Sequence, residues 1–317
     1  MTWGDSFVVT ARRLRRGQFS AEPGKARFLI VPPDDNNAEP AQAVPRKRWS
    51  EAVIAAGHTH QDPHNGDDCG DIAVLVHGYN TSPAGSLSLH RRLYRGLVDA
   101  GFAGALVSFD WPSDDRAINY LEDRTDAKLT ALRLVDDFIN LLVSARYARC
   151  RINVHVIAHS MGAYVLREAF DDADDRARLA ESNWTISQLC LVAGDVSSAS
   201  LAADDARSRS LYRHCTRLTN YSNAYDRALK LSNIKRIGVA PRAGRRGLPT
   251  GAPEKASNVD CSDYFREHYG ESGDIGHSWY FDDAGFVRDL AESLSGDSAP
   301  DVTGSRRMAP GGHILLA

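Results

Sequence analysis

Four short apolar runs constrain this chain more than any other feature of it. IAVLVHG (72–78), GALVSFDWP (104–112), RINVHVIAH (151–159) and SQLCLVAGD (187–195) are apolar for most of their length and do not alternate with period two. Continuous apolarity of this kind marks a strand covered by helices on both faces, as in a parallel sheet. The segments between them have helical spacing. SLSLHRRLYRGLVDAG (86–101) sets Leu89, Leu93 and Leu97 four apart and closes on Gly101, and residues 126–147 repeat apolar positions at Leu132, Val135, Phe138, Ile139 and Leu142. Strand and helix thus alternate from residue 72 to about 196, which predicts an α/β fold. Its sheet should be doubly wound and mostly parallel, of about eight strands, with helices on both faces.

The flanks are less regular. SFVVTAR (6–12) and ARFLIVP (26–32) suggest an antiparallel edge hairpin, and the Pro- and Asn-bearing stretch 32–48 reads as a long loop. RLTNYSN (217–223) and ASNVDCS (256–262) suggest two further strands joined by a Gly- and Pro-rich loop, 241–255, and DDAGFVRDLAESL (282–294) is an amphipathic helix. The expected organisation is an N-terminal extension packed on the main domain (1–70), a catalytic domain (71–295) and a mobile tail (296–317).

Composition removes whole classes. With 43% hydrophobic and 25% charged residues the chain is neither disordered nor fibrous. No run approaches the roughly 18 apolar residues of a membrane span. The first residues, MTWGDSFVVTARRLRRGQ, place their basic cluster after the apolar run, the reverse of a secretory signal. The five cysteines (Cys69, Cys150, Cys190, Cys215, Cys261) lack CxxC spacing, which points to reduced thiols and a cytoplasmic location. The 38 basic residues nearly balance 41 acidic ones, so neither nucleic acid nor a membrane is an expected partner. The basic runs Arg12, Arg13, Arg15, Arg16 and Arg46, Lys47, Arg48 read as solvated surface.

The sharpest chemical signal is VHVIAHSMGAYVLREAF (154–170), where a buried strand runs through a turn at Ser160 into a helix. This is the setting of a nucleophile elbow. Ala158 and Gly162 supply the small flanking residues that such a turn needs. The helix start offers backbone N–H groups where an oxyanion would form, with Met161 as the first candidate donor. The loop VLVHGYN (74–80) ends the first core strand and should lie beside the elbow, which makes the Tyr79 amide a second candidate. His77 reads as a buried histidine that holds this loop.

A serine needs an imidazole as base and a carboxylate to orient it. In sheets that carry a nucleophile elbow of this kind the acid follows the serine in the chain and the histidine comes last. Of the later histidines, His313 sits in the expected tail, His214 falls too early and His268 reads as helical surface. His277, in the Gly-flanked DIGHSWYF, is the candidate base. Asp226 and Asp195 both end strands and compete as the acid. Asp226 follows the strand nearer the histidine segment and is preferred, with Asp195 as alternative. Asp110, which precedes the serine, reads as a rim residue.

In order, VLVHGYN, FDWPSD, HVIAHSMG, LVAGDV, SNAYDRAL and GHSWYF resemble a bacterial branch of the α/β-hydrolase superfamily marked by an HGYN oxyanion loop. The resemblance covers about residues 70–295. It implies the α/β-hydrolase fold and a serine hydrolase with Ser160, Asp226 and His277 as its triad. Carboxylesterase action on a small-molecule ester, with no cofactor, is the expectation. Ala158 and Gly194 depart from the branch pattern, which has Gly and Pro there, without removing a catalytic group. Amidase, thioesterase or acyltransferase chemistry would use the same triad. His77, Gly78, Trp111, His159 and Trp279 are candidate substrate contacts, Tyr79 and Tyr280 candidate pocket walls, and 197–215 a candidate cap. Two other classes stay open. GHTHQDPHNGDDCGD (57–71) gathers His58, His60, Asp62, His64, Asp67, Asp68 and Cys69 in a near-match to a binuclear zinc pattern, although a solvated loop is the preferred reading. A non-catalytic binding protein on the same fold is the other.

Overall fold

The apolar runs become the central strands because residues on both sides of each can be buried at once. The computed structural model describes residues 4–61, 63–64, 66–113, 130–131, 133–135, 150–176, 184–234, 241–271, 276–297 and 304–317. In chain order the elements begin with β1 (Ser6–Arg15), β2 (Gln18–Val31), β3 (Ala43–Val44), α1 (Arg46–Gly57), β4 (His58–Gln61), β5 (Asp68–Val76), α2 (Pro83–Asp99) and β6 (Ala105–Asp110). Then follow β7 (Cys150–His159), α3 (Gly162–Asp174), β8 (Ile186–Val192), α4 (Arg209–Arg213), β9 (Cys215–Ser222), α5 (Arg227–Ile234) and α6 (Ala243–Arg246). The last are β10 (Ala256–Asp260), α7 (Ser262–Tyr269), α8 (Ala284–Ser295), β11 (Arg306–Ala309) and β12 (His313–Leu316). The helix expected over 126–147 falls almost wholly outside the described residues.

Twelve strands form one sheet in the order β11-β12-β10-β9-β8-β7-β5-β6-β1-β2-β3, with β4 paired to β5 off this path. The run from β12 to β1 is parallel throughout, and the antiparallel pairings among the described residues are β11–β12, β1–β2, β2–β3 and β4–β5. The expected parallel sheet is therefore present, extended by antiparallel strands at both margins. Along β5 the side chains divide by parity. Ile72, Val74 and Val76 join Trp49 of α1 and Val165 of α3 in one core layer, while Ala73 and Leu75 join Leu93 of α2 and Leu290 of α8 in the other. Helices on both faces are what makes the strands continuously apolar. The helix starts are set by caps. Ser82 Oγ accepts from the Gly85 amide at 3.1 Å ahead of Pro83, so α2 begins three residues earlier than its leucine spacing predicts. No helix among the described residues is long and apolar enough to cross a membrane.

The expected antiparallel edge hairpin is present as β1–β2, and β1 joins the main sheet by pairing in parallel with β6. Three expectations need correction. Arg12, on β1, is 2% exposed and paired with Asp110, whereas Arg13 and Arg15 are solvated as expected. A run of like charges on a strand points alternately in and out, and the inward member found a carboxylate. Residues 304–317 of the expected tail are also structured. β12 pairs in parallel with β10, and β11 closes an antiparallel hairpin on it. Arg306 Nε and Nη2 grip Asp289 of α8 at 2.7 and 2.9 Å, with neither side chain exposed. Composition could not reveal that anchor, because its partner sits on another element. The 32–48 segment is likewise more than loop: it holds β3 and the start of α1.

Arg306→Ala should lower unfolding free energy by about 3–5 kcal/mol, because it strands a buried Asp289 carboxylate. Urea denaturation at neutral pH measures this, and a change below about 1 kcal/mol would mean that the tail is not anchored by this pair.

Candidate functional site

The chain runs from β5 out to β6 and then returns to place β7 on the other side of β5. Such a reversal of strand order opens a crevice at the carboxyl ends of the strands. The loops leaving β5 and β7 there carry His77–Thr81 and Ser160. Ser160 has φ +54°, a left-handed conformation that costs a non-glycine residue about 1–3 kcal/mol. Three backbone hydrogen bonds hold it there. Its amide donates to Val192 O at 3.0 Å, and its carbonyl accepts from Ala163 at 3.1 Å and Asp195 at 2.9 Å. Gly162 is obligatory, since a Cβ would stand 2.4 Å from Val76 O and 2.7 Å from His77 O. Gly78 is needed for the reciprocal reason: its Cβ would meet Ser160 Cβ at 2.9 Å and His159 Nδ1 at 3.0 Å.

The structure brings Ser160, His277 and Asp226 into one hydrogen-bonded line. His277 Nδ1 lies 2.7 Å from Asp226 Oδ2, and His277 Nε2 lies 2.7 Å from Ser160 Oγ. The carboxylate can only accept, so Nδ1 carries the proton and Nε2 faces the serine hydroxyl as acceptor. Asp226 is fully buried, while the His277 side chain is 23% exposed, so the imidazole is reachable and the carboxylate is not. The other carboxylate oxygen, Oδ1, accepts from the Leu229 amide at 2.9 Å at the start of α5. Burial pulls the His277 pKa down, but the hydrogen bond and charge of Asp226, with a further contribution from Asp195, outweigh it and leave it raised.

The alternative acid is engaged elsewhere. Asp195 Oδ1 lies 3.0 Å from Arg242 Nε, both side chains being nearly buried. Arg242, in a stretch read only as loop, had no signal in the sequence. His159 donates from Nε2 to the His277 carbonyl at 3.0 Å, and its ring lies 5.0 Å from the His277 ring and edge-on to Phe281. Burial, and then the charge of His277, push its pKa down to about 3, so the ring that holds the His277 backbone is neutral.

Other expected contacts are displaced into the core. Trp279 is enclosed by Tyr264, Phe265, Tyr269 and Phe286, and Tyr280 is fully buried. Trp111 is likewise buried, stacked on His77 at 5.5 Å and donating from Nε1 to the His77 carbonyl at 2.8 Å. Aromatic residues near strand ends pack as readily as they bind, and here they pack. Tyr79 stays half-buried beside the elbow. His77 holds its loop through Gly78 O at 2.8 Å and Asp110 Oδ1 at 3.3 Å. The segment expected as a cap, 197–215, is tied to α3 by Arg167–Ser200 and Ser210–Asp174 hydrogen bonds. His58 and His60 sit on β4 in a hairpin with β5, and among the described residues no three His, Cys, Asp or Glu side chains converge to hold a metal. Asp62 of that segment lies outside the described residues.

Gly162→Ala should destabilise the fold by about 1–3 kcal/mol through the clash with β5, read as a lowered melting temperature. A variant as stable as the parent would show that the elbow has room to relax.

Residues 58–283 match the sequence family described as "alpha/beta hydrolase of unknown function (DUF900)". An uncharacterized protein from Nostoc sp. (strain PCC 7120) is 39% identical over 62 residues, which is 20% of this chain and 15% of that protein. Among solved structures, a provisionally named cell surface hydrolase of Lactobacillus plantarum WCFS1 is 13% identical with a TM-score of 0.36, covering 73% of this chain and 93% of that one. A Trichoderma reesei cutinase in complex with a phosphonate inhibitor is 12% identical with a TM-score of 0.32, covering 77% and 86%. Both structural likenesses are remote, and the family assignment rests on the sequence match.

Proposed function

The chain belongs to this α/β-hydrolase family, and on that premise we propose that it is a serine hydrolase acting as a carboxylesterase on a small-molecule ester. The observation that carries the reading is the continuous line Ser160–His277–Asp226, with both links at 2.7 Å and the serine at a left-handed apex. In this reading His277 Nε2 takes the Ser160 proton as Oγ attacks the ester carbonyl, and Asp226 stabilises the imidazolium that results. The amides of Met161, the N-cap residue of α3, where N–H groups lack an intrahelical acceptor, and of Tyr79 receive the oxyanion. His277 then protonates the departing alkoxide, and water, activated by the same imidazole, releases the acid from Ser160. No cofactor enters these steps. The four described free cysteines, Cys69, Cys190, Cys215 and Cys261, support a reducing, cytoplasmic setting.

Ser160→Ala should abolish p-nitrophenyl acetate turnover and labelling by a fluorophosphonate, with an unchanged melting profile. Retained turnover would sink the mechanism, and loss of wild-type turnover to a chelator would favour metal chemistry instead. A chain-length series of esters with amide and thioester controls ranks the substrate classes.

Asp226→Asn should cost about 10³–10⁴-fold in kcat, and Asp195→Asn much less; the reverse order would reassign the acid. The pH dependence follows from the sign of the His277 shift. The imidazole must be neutral to accept the serine proton, and its pKa is raised in the fold. The acid limb of kcat/KM should therefore fall at a pH above the ordinary imidazole value of about 6.5, and move downward in Asp226→Asn. A limb below that value in the wild type contradicts the assignment.

A further inference from the structure

The loop that carries the Tyr79 amide is fastened by buried polar groups that the chemistry above does not use. Trp111 Nε1 donates to His77 O at 2.8 Å. Ser113 Oγ accepts from the Thr81 amide at 3.0 Å and donates to the Thr81 carbonyl at 3.1 Å. Arg12 Nη2 donates to that same Thr81 carbonyl at 2.6 Å, while its Nε reaches both Asp110 oxygens at 2.9 and 3.0 Å. Asp110 also accepts from Thr10 Oγ1 at 2.7 Å and lies 3.3 Å from His77 Nε2. Burial alone would push the Asp110 carboxyl up, but the Arg12 charge and the His77 and Thr10 hydrogen bonds hold it below the usual carboxylate range.

The consequence for Tyr79 follows from peptide geometry. His77 Nδ1 donates to Gly78 O at 2.8 Å, which turns that carbonyl toward the imidazole. Gly78 O and the Tyr79 N–H belong to one planar trans peptide and point in opposite directions. Fixing the His77 ring therefore aims the Tyr79 N–H away from it, in a loop whose Gly78 abuts Ser160. The ring is fixed by Trp111 on its face and Asp110 at Nε2, and Asp110 is fixed by Arg12 of the first strand.

We propose that Arg12 and Asp110 are positioning residues for ester hydrolysis, acting through His77 and Thr81 to hold the Gly78–Tyr79 peptide in the orientation that receives the oxyanion. This rests on the serine-hydrolase reading and deepens it: the N-terminal hairpin becomes part of the catalytic apparatus.

The test compares wild type, Arg12→Lys, Ser113→Ala and the double variant Arg12→Met/Asp110→Asn, which removes both charges of the buried Arg12–Asp110 pair together. For p-nitrophenyl acetate, kcat in the double variant should fall about 10–100-fold, with KM within roughly twofold. The His277 limb of the pH profile should stay in place. Arg12→Lys keeps the charge but loses the fork, and should recover part of kcat. Hydrogen exchange should rise in the amides of 77–81 while the central strands stay protected. Wild-type kcat in folded variants, or a loss of protection spread over the whole sheet, would overturn the proposal. If the double variant does not fold, Ser113→Ala decides by the same two readouts, since it removes one hydroxyl from Thr81. A wild-type protein inert toward esters would defeat the serine-hydrolase reading, and exchange at 77–81 would still decide whether Arg12 and Asp110 hold the loop.

Discussion

The nine-pair parallel register between β5 and β7 is the constraint on which the rest of the molecule depends. It ends with Val76 opposite Ala158, so the two strands release their chains side by side. One chain must turn into α3 within two residues, and the other must cross directly over that turn. Space at the crossing is so small that both partners are glycine, Gly78 and Gly162. Ser160, between them, takes the left-handed backbone that raises its hydroxyl above the strand ends. Stored strain of about 1–3 kcal/mol is offset by three backbone hydrogen bonds worth roughly 1 kcal/mol each. The elbow is thus imposed by the sheet and needs no special sequence beyond small neighbours.

Two carboxylates end adjacent strands, β8 and β9, and the fold assigns them different work through what each can reach. Asp226 follows β9 and shares itself between the first turn of α5 and His277. One oxygen is fixed by a backbone amide, which sets the other at the imidazole. Asp195 follows β8 and is turned toward Arg242. Its charge still acts on His277 through space and helps to raise the pKa. The neutral ring of His159 completes the setting: beside an imidazole that becomes cationic in the proposed mechanism, a second charge would be repulsive, and burial prevents it.

Much of this was legible in the residues. Continuous Val/Ile runs gave the parallel strands because their burial on two faces leaves no polar periodicity. Ser160 and its small neighbours were readable because the elbow is local, and Asp226 and His277 because strand order restricts which residues can arrive. Arg12, Arg242 and Arg306 were not readable. Each has another arginine within three residues, and what singles it out is an aspartate that is 98, 47 or 17 residues away. Trp111 and Trp279 failed for a different reason. An aromatic side chain at a strand end satisfies either a pocket or a core, and only packing decides.

Those three buried Arg–Asp pairs share a role that stability alone does not explain. Desolvating two charges is costly, and apolar replacements of buried pairs are often neutral or better. A guanidinium, however, fixes direction as well as distance, because its fork accepts only planar, oriented partners. Each pair joins a peripheral segment to the central sheet or its helices: β1 to β6, the loop before α6 to the end of β8, and β11 to α8. Apolar contacts would hold those segments in place but allow them to slide by fractions of an ångström. Where the held segment is the C-terminal hairpin, such sliding would alter little chemistry. Where it is the strand behind the His77–Thr81 loop, the same displacement would turn the Gly78–Tyr79 peptide that we propose receives the oxyanion, so directional pairing matters most at Arg12 and Asp110.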